Sequence, residues 1–475
     1  MRAALQTAFD HAVRYRMADH AAPVAALTDY PSLLSRLNVP LADSGTNPSQ
    51  VIDDLASAVE GFLHSTTGPR FFGWVIGGSL PAALAADWLT SAWDQNAGLF
   101  AVAPAASVVE QVAGEWLKDL LRLPAQSSFA LVTGCQMAHV ACLAAARHKL
   151  LQDRGWDVAQ QGLSGAPAIR ILTSTEVHGT VPRAVRLLGI GEQQIQTLPT
   201  DETGRLLPSA LRQAFEQHPG APTIVILQAG DLNIGAFDDF GTLVPLARQF
   251  NAWVHVDGAF GLWVQTSSRL RHLLRGAELA DSWATDGHKW LNVPYDCGYA
   301  FVRDRAAHHA AFAHHASYIE AGDTAREPMH WTPEFSRRAR GFSTYAALRE
   351  LGRSGISDLV ERCCDHARAL VMGIGNLPGA EALAEPQINQ GLVRFLDPAP
   401  GASNADHNAF TDEVTRRILA SGEALFSNTT WRGRRAMRVS VCNWQTSAAD
   451  VQRVIRAVAG VLAQARASAP ARSLA

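Results

Sequence analysis

The sequence predicts an α/β protein whose main domain is a mostly parallel β-sheet with helices on both faces. Short apolar, β-branched runs typical of buried strands alternate along the chain with alanine-rich or amphipathic helical segments. One such run, residues 253–256, ends directly on Asp257, and a carboxylate at the carboxyl end of a buried strand is typical of a ligand site in this fold class. From about residue 306 the pattern changes to a long helix and two alternating strands, which predicts a smaller α+β C-terminal domain.

Length and composition limit the possible classes of protein. A chain of 475 residues is long enough for one large domain and a smaller one. The composition is 47% hydrophobic and 18% charged, with a net charge of −3, and it gives no reason to expect nucleic-acid or membrane binding. No apolar leader segment is visible near the N-terminus, so we expect a cytoplasmic protein.

Neither the cysteines nor the histidines predict a metal site. The six cysteines lack zinc-binding spacing and are expected to be reduced thiols in the core. His308, His309, His314 and His315 are close in sequence, but their spacing does not gather a tetrahedral ligand set. We therefore expect no bound metal.

We divide the chain at residues 1–64, 65–335 and 336–475. The first part is a helical N-terminal segment, the second is the large domain and the third is the small C-terminal domain. In the first two parts we expect helices at 51–64, 107–121, 137–151 and 181–188, and strands at 129–134, 168–175, 223–230, 253–256, 281–286 and 298–304. Across the boundary between the second and third parts we expect a long helix at 332–375, and in the third part strands at 391–397 and 436–443 and a closing helix at 448–463.

The stretch from 253 to 298 carries the strongest indication of chemistry. Lys289 follows Asp257 by 32 residues and lies between His288 and Trp290. Burial there would lower the pKa of Lys289, as an imine-forming lysine requires. A reactive lysine with a carboxylate for a pyridine nitrogen is the pair that pyridoxal phosphate needs. The alternative is a core aspartate paired with a structural lysine.

The segments HVDGAFG and DGHKWLNVPYDCG resemble the group II pyridoxal-phosphate-dependent amino-acid decarboxylases, which have the aspartate-aminotransferase-like fold, fold type I. The resemblance extends over about residues 65–460. It implies a seven-stranded sheet, pyridoxal 5'-phosphate as cofactor, a small-molecule amino-acid substrate and a homodimer. It also implies that the N-terminal helices clasp the partner subunit, whereas on sequence alone they could form a lid over the core.

The same resemblance assigns the cofactor-binding residues. Lys289 would be the Schiff-base lysine, Asp257 would bind the pyridine nitrogen, and His178 would stack on the ring unless it only caps the next helix. These three are the expected catalytic residues. The phosphate would lie at a helix N-terminus, where backbone N–H groups and the helix dipole favour an anion. The remaining cofactor-binding candidates are Gly134, Cys135 and Gln136 at that helix start, Asp231 and Asn233 near the ring substituents, Ala259 under the ring, and Asp286 and His288 beside the phosphate.

Three further residues are candidates for binding the substrate. Phe72 and Trp74 match an aromatic segment that contacts the substrate in related decarboxylases, although a buried apolar loop would have the same composition. Arg438 matches an arginine that binds the substrate α-carboxylate, a role for which the guanidinium fork is suited. The alternative for Arg438 is a surface position on an amphipathic strand.

The reaction expected first is α-decarboxylation of an amino acid. One departure from the family affects the product: Pro328 stands where a mobile-loop tyrosine delivers a proton to the α-carbon. His178, His330 and Tyr318 are alternative proton donors. The same cofactor would also serve a carbon–carbon lyase or aldolase-type synthase, an oxidative decarboxylase that forms an aldehyde, or an aminotransferase. A non-catalytic relative is the third class, which the presence of Asp257, His178 and Lys289 disfavours.

Overall fold

A computed structural model describes residues 1–18, 22–26, 28–314 and 325–468. Tyr318 and His315, considered above as a proton donor and a metal ligand, lie outside the described residues. The chain forms two compact units: Gly77–Asp365 with Pro386–Gln390, and Met1–Ile76 with His366–Glu385 and the described residues from Gly391 onward. The functional boundaries at residues 64 and 335 stay a prediction.

The secondary structure is as follows. In the described residues the strands are β1 (Ser128–Val132), β2 (Arg170–Ser174), β3 (Ile195–Leu198), β4 (Thr223–Gln228), β5 (Trp253–Asp257), β6 (Ser282–Asp286), β7 (Gly298–Val302), β8 (Ala380–Ala382), β9 (Gln390–Phe395), β10 (Ser427–Trp431) and β11 (Arg434–Ser440). The helices there are α1 (Arg2–Ala18), α2 (Tyr30–Leu37), α3 (Pro48–Val59), α4 (Pro81–Trp93), α5 (Pro104–Leu120), α6 (Cys135–Gln152), α7 (Val158–Gln161), α8 (Thr180–Leu187), α9 (Pro208–Glu216), α10 (Phe240–Gln249), α11 (Arg305–Phe312), α12 (Gly341–Gly375), α13 (Asn404–Ala420) and α14 (Ala448–Ala467).

The larger unit is built on a seven-stranded sheet in the order β1-β7-β6-β5-β4-β2-β3. Neighbours from β6 through β3 are parallel, whereas β7 is antiparallel to both β1 and β6. Strands β1, β4, β5, β6 and β7 are buried along their whole length. Burial on both faces explains why β1, β4 and β7 are nearly continuous apolar runs rather than alternating ones. The predicted, mostly parallel seven-stranded sheet is confirmed.

The smaller unit contains a four-stranded sheet in the order β10-β11-β9-β8. Strand β11 pairs antiparallel with β10, and β9 pairs antiparallel with β8. Helix α13 begins with a capping box, in which Ser403 and Asp406 satisfy each other's backbone N–H groups. Helix α14 begins in the same way with Ser447 and Asp450, so the sequence specifies both starting points locally.

Three sequence predictions about elements need correction. Edge strand β3 was not expected, because it is short and half polar. Helix α3 ends at Val59 rather than at residue 64. Helix α12 begins at Gly341 rather than at residue 332, and it is kinked at Gly352, where φ is 61° and ψ is −178°.

The described helices and the cysteines agree with the composition. No helix in the described part of the chain combines the length and apolar character needed to cross a bilayer. All six cysteines are buried and free of disulfides, as expected for core thiols.

Gly298 shows how closely the elements at one end of the sheet approach. A Cβ atom at this position would lie 2.5 Å from the carbonyl carbon and Cα of Gly134 and 2.9 Å from the backbone nitrogen of Cys135. Real Cβ atoms do not approach backbone so closely, so only glycine lets β7 pass behind the turn that begins α6.

Replacement of Gly298 by alanine should therefore destabilise the protein. We expect Gly298→Ala to lower the free energy of unfolding by about 1–3 kcal/mol, because backbone must move to admit the methyl group. Gly460→Ala in α14 is the matched control, since its Cβ would meet no atom within 4 Å and alanine favours helix. Thermal denaturation of the two variants measures the difference, and equal midpoints would contradict the packing argument.

Candidate cofactor site

Five parallel strand ends converge on one edge of the large sheet. The predicted site residues follow the carboxyl ends of β1, β2, β4, β5 and β6, and Lys289 comes three residues after β6 ends. Parallel strands that end together place their following residues side by side, which is why ligands bind at this edge of an α/β sheet.

Asp286 lies at the centre of this edge. Its Oδ1 accepts a hydrogen bond of 2.5 Å from the backbone N–H of Cys135, at the N-terminus of α6. Its Oδ2 is 3.1 Å from Lys289 Nζ, and its Oδ1 is 3.5 Å from His288 Nε2. The structure thus brings together the helix start, the lysine and the histidine that the sequence predicted for one site.

The ionisation of Lys289 differs from the sequence expectation. Burial alone would lower the pKa of its amine, but the carboxylates of Asp286 and Asp257 act in the opposite direction, and the pKa is raised above its usual value. The expectation of a lowered lysine pKa was wrong, because it ignored the carboxylate three residues earlier. Lys289 is a cation in an ion pair at neutral pH.

A second glycine confines the backbone of Lys289. A Cβ atom on Gly77 would lie 1.7 Å from the Lys289 carbonyl oxygen, so the chain entering α4 runs directly against this peptide. The backbone N–H of Leu80 donates to the carbonyl of Asn292 at 2.9 Å, three residues after the lysine. The main chain around Lys289 is therefore held in place by close packing against Gly77 and by the hydrogen bond from Leu80 to Asn292.

Asp257 is the last residue of β5 and is buried. Its Oδ1 accepts from the N–H of Ala259 at 3.2 Å, and its Oδ2 lies 3.5 Å from His139 Nε2. Burial by itself would raise the pKa of this carboxyl, but His139, His178 and Lys289 lower it below its usual value. Asp257 is consequently an ionised, buried acceptor.

His288 is neutral and has a defined tautomer. Burial lowers the pKa of its imidazole. Its Nδ1 accepts from the backbone N–H of Cys297 at 3.3 Å, so the proton is on Nε2, the atom that faces Asp286. The ring of Tyr295 stacks on it with centroids 4.2 Å apart.

His178 lies at the start of α8 with its ring exposed. Its Nδ1 is 2.8 Å from Thr180 Oγ1 and 3.3 Å from the Thr180 backbone nitrogen, so the capping contact considered as an alternative does exist. Its charge also influences Asp257 across the site. Stacking on a cofactor ring stays a prediction.

The remaining candidates in the large unit have structural contacts as well. The buried carboxylate of Asp231 accepts from three backbone N–H groups of the following turn, between 2.6 and 3.1 Å. Burial raises the pKa of Asp231 to about 6 despite these bonds. Asn233 donates to Glu176 Oε2 at 3.2 Å, and Gln136 donates to the Thr180 carbonyl at 3.2 Å.

The three substrate-binding candidates belong to the smaller unit. Phe72 is fully buried and stacks on Phe426 at 5.4 Å between ring centroids. Trp74 is 56% exposed and has a positive φ of 49°. Arg438 lies on β11 and is buried. The alternative interpretation of Arg438 required a surface position, which the structure does not show. Their contact with substrate stays a prediction.

One buried group has the composition of a metal site. Cys135, His139 and Asp257 present a sulfur, a nitrogen and a carboxylate oxygen within 4.8 Å of one another. Burial raises the pKa of the Cys135 thiol well above its usual value, so the sulfur is protonated rather than a thiolate. Asp257 already has a place in the predicted cofactor site, so we assign no metal to these three residues.

The chemistry of these side chains fits pyridoxal phosphate. The site offers an amine for the aldehyde, an ionised carboxylate for the ring nitrogen and a helix N-terminus for the phosphate. These groups would hold the cofactor through Lys289, Asp257 and the first turn of α6.

Comparison with known proteins agrees with this fit. The family model described as the pyridoxal-dependent decarboxylase conserved domain matches residues 31–396. The aromatic-L-amino-acid decarboxylase of Bacillus atrophaeus is 25% identical over 455 residues, which cover 94% of this chain and 92% of that protein. The structure of Oryza sativa TDC with PLP and tryptamine has a TM-score of 0.91 at 23% identity, covering 98% of this chain and 97% of that one. Rhodiola rosea 4-hydroxyphenylacetaldehyde synthase has a TM-score of 0.86 at 21% identity, covering 98% and 97% of the two chains.

Fold, site and comparisons together define a pyridoxal-phosphate-dependent enzyme of fold type I. The chain belongs to the pyridoxal-dependent decarboxylase family, and it is a lyase that acts on amino acids by α-decarboxylation. The predicted family, fold class and cofactor are confirmed.

Two residues of the site were not explained by sequence reasoning. Neither His139 nor His255 was among the residues that the sequence predicted for the site. His255 and Asp257 are two residues apart on one strand and so lie on the same face, a spacing that could have indicated their relation.

The ion pair between Asp286 and Lys289 predicts how the apoprotein takes up its cofactor. Since the carboxylate raises the pKa of the lysine, Asp286→Asn should lower that pKa and move the pH midpoint of cofactor loading down by about one pH unit or more. The loading rate is measured from the visible absorbance of the bound cofactor, from neutral to alkaline pH.

Asp296→Asn is the matched control for this experiment. Asp296 is in the same connection between β6 and β7, but its carboxylate pairs with Arg340 at 2.8 Å. Its profile should match that of the unmodified protein. A midpoint for Asp286→Asn that is unchanged or higher would show that the carboxylate does not control the lysine.

Proposed function

We propose that the enzyme removes the α-carboxylate of an amino acid as CO₂ and releases the corresponding amine, with Lys289, Asp257 and His178 as catalytic residues. The observation that supports this is the placement of an ionised buried carboxylate and a lysine on one edge of the sheet. The side chain of the preferred amino acid is not specified by these residues.

Each group of the site has a distinct task in this proposal. Bound pyridoxal phosphate supplies an electron-accepting ring that stabilises the negative charge left at the α-carbon. Asp257 keeps the ring nitrogen protonated, and Lys289 Nζ holds the cofactor and exchanges it for the substrate amine. The N-terminus of α6 binds the phosphate. Asp286 fixes the position of that helix relative to Lys289, because its carboxylate contacts both.

Pro328 is the reason for keeping a second candidate function. This residue is buried in a short turn, where Met329 donates to the Gly98 carbonyl at 3.0 Å and Glu327 accepts from Phe100 at 2.7 Å. Proline has no proton to donate, so the α-carbon proton must come from another group, for which we propose His178. If protonation is slow, O₂ can intercept the negative charge, and the products become CO₂, an aldehyde, ammonia and hydrogen peroxide.

The products in D₂O decide between the two candidates. Purified enzyme is incubated with aromatic, acidic and diamino acids, and CO₂, amine, aldehyde, peroxide and α-carbon deuterium are followed. Decarboxylation should give CO₂ and mono-deuterated amine in equal amounts, without effect of oxygen. Aldehyde and peroxide in amounts equal to CO₂ would establish the oxidative candidate instead.

Variants link the activity to the proposed residues. Lys289→Ala should abolish turnover. The control is Lys149→Ala, at a lysine on α6 that pairs with Asp153, and this variant should leave turnover unchanged. His178→Gln should lower kcat by roughly a factor of 10² or more if this histidine supplies the proton. CO₂ release that survives in Lys289→Ala would refute the proposed site.

We further propose that the enzyme is a cytoplasmic homodimer. In the described part of the chain, α1, α2 and α3 have no buried residue. Helix α1 is held through bonds from His11 to Asp53 and from Tyr15 to the His64 carbonyl. An apolar stripe nevertheless stays exposed on α1 at every fourth position: Leu5, Phe9, Val13 and Met17 are 58%, 48%, 41% and 80% exposed. Such a stripe is typical of an interface with another subunit.

The six thiols without disulfides support the proposed cytoplasmic location.

Sedimentation tests the dimer. The unmodified protein should sediment as a dimer at micromolar concentration, and Leu5→Arg combined with Val13→Arg should shift it towards the monomer. Leu187→Arg, at an apolar residue 60% exposed on α8, is the control for adding charge to an exposed position. An active monomer in the unmodified protein would contradict the proposal.

A further inference from the structure

Two histidines are buried next to each other behind Asp257. His139 on α6 and His255 on β5 are both fully buried, with Nδ1 of His139 and Nε2 of His255 2.9 Å apart. The neighbours of His139 on its helix are apolar and buried. An imidazole in such a position loses its hydration, and this cost is offset only by hydrogen bonds. The pair therefore requires a physical reason.

Burial keeps both rings neutral. It lowers the pKa of His255 to about 3, with a smaller contribution from His139, and it lowers the pKa of His139 as well. A neutral imidazole has one N–H donor and one acceptor nitrogen. The direction of every hydrogen bond in the group is consequently fixed once the direction of one of them is known.

The chain of bonds begins at a residue that can only donate. Trp253 Nε1 donates to Ser282 Oγ at 2.9 Å, and Ser282 Oγ lies 2.9 Å from His255 Nδ1. If the serine hydroxyl donates onward to Nδ1, His255 carries its proton on Nε2 and donates to His139. His139 then carries its proton on Nε2, which faces Asp257 Oδ2 and Cys135 Sγ, each at 3.5 Å. The opposite direction would set a nitrogen lone pair against an ionised carboxylate.

We propose that His139 is a positioning residue for Asp257. Its Nε2–H group points at Asp257 Oδ2, which keeps the carboxylate ionised and holds it in the orientation that the cofactor ring nitrogen requires. The inference rests on the role proposed above for Asp257. It accounts for both carboxylate oxygens, because Oδ1 is already held by the N–H of Ala259. His255, Ser282 and Trp253 fix the tautomer that makes His139 a donor.

The test uses His139→Leu, which removes the donor, and His139→Gln, which keeps a side-chain N–H near the same place. Pyridoxal phosphate labelled with ¹⁵N in its ring reports protonation of the ring nitrogen directly, by NMR of the loaded enzyme. His139→Leu should shift this signal towards the unprotonated form, weaken cofactor binding and lower kcat, the last two by about ten- to a hundredfold, with KM little changed. His139→Gln should recover most of each loss.

His148→Leu is the matched control, because His148 is also buried on α6 and neither of its ring nitrogens has a hydrogen-bond partner in the described structure. Its ¹⁵N signal, cofactor affinity and kcat should equal those of the unmodified enzyme. If His139→Leu does not fold, His255→Phe breaks the chain one bond further back and should change the signal in the same direction. If His139→Leu, or His255→Phe in its place, folds and gives the same ¹⁵N signal as the unmodified enzyme, the proposal is wrong.

Asp257→Asn separates the failure of this inference from failure of the function. The amide cannot hold the ring nitrogen protonated, so this variant should lose the protonated signal. If Asp257→Asn loses it and His139→Leu keeps it, Asp257 has its proposed role and His139 does not. If Asp257→Asn keeps the signal, the role of Asp257 itself is wrong, and the inference about His139 falls with it.

Discussion

The carboxylate of Asp286 is the group on which this edge of the sheet depends, because its residue joins the nearby Lys289 to two segments that are distant in sequence, the start of α6 and the connection after β5. Its side chain binds the first N–H of α6 and the Lys289 amine. Its own N–H donates to the Ala259 carbonyl at 2.9 Å, and its carbonyl accepts from Trp263 at 3.0 Å. The relative positions of the helix, the end of β5 and the lysine therefore follow from the contacts of a single residue.

The charges around this residue are few, because burial leaves most nearby titratable groups neutral. The Cys135 thiol and the His139, His255 and His288 rings have pKa values shifted in the direction that favours the neutral form. Electrostatic interactions in such a setting are stronger than at a surface, since little water screens them. Lys289 and His178 are the neighbouring groups whose positive charge favours the ionised form of Asp257.

The sequence was sufficient for what is encoded locally. Continuous apolar runs identified β2, β4 and β5 to within a few residues, and the residues that follow such runs identified Asp257 and Lys289. Strand β3 escaped because a short edge strand has no buried face to impose a pattern. The false helix before Gly341 contains Arg337, whose guanidinium binds Glu110 at 2.6 Å, a long-range contact that helical periodicity does not reveal. The bond between His139 and His255 joins residues 116 apart, so only the folded chain shows it.

The contacts of Asp286 also mean that groups proposed to bind the cofactor already have partners within the protein. In the proposed site, the amine that would meet the aldehyde is already bound to this carboxylate, and so is the Cys135 N–H group at the helix start that would face the phosphate. Binding is therefore an exchange of partners, and its net free energy is the difference between new contacts and those given up. In the proposed site, Asp286 therefore competes with the cofactor for Lys289 and for the start of α6, and this competition limits the affinity for the cofactor.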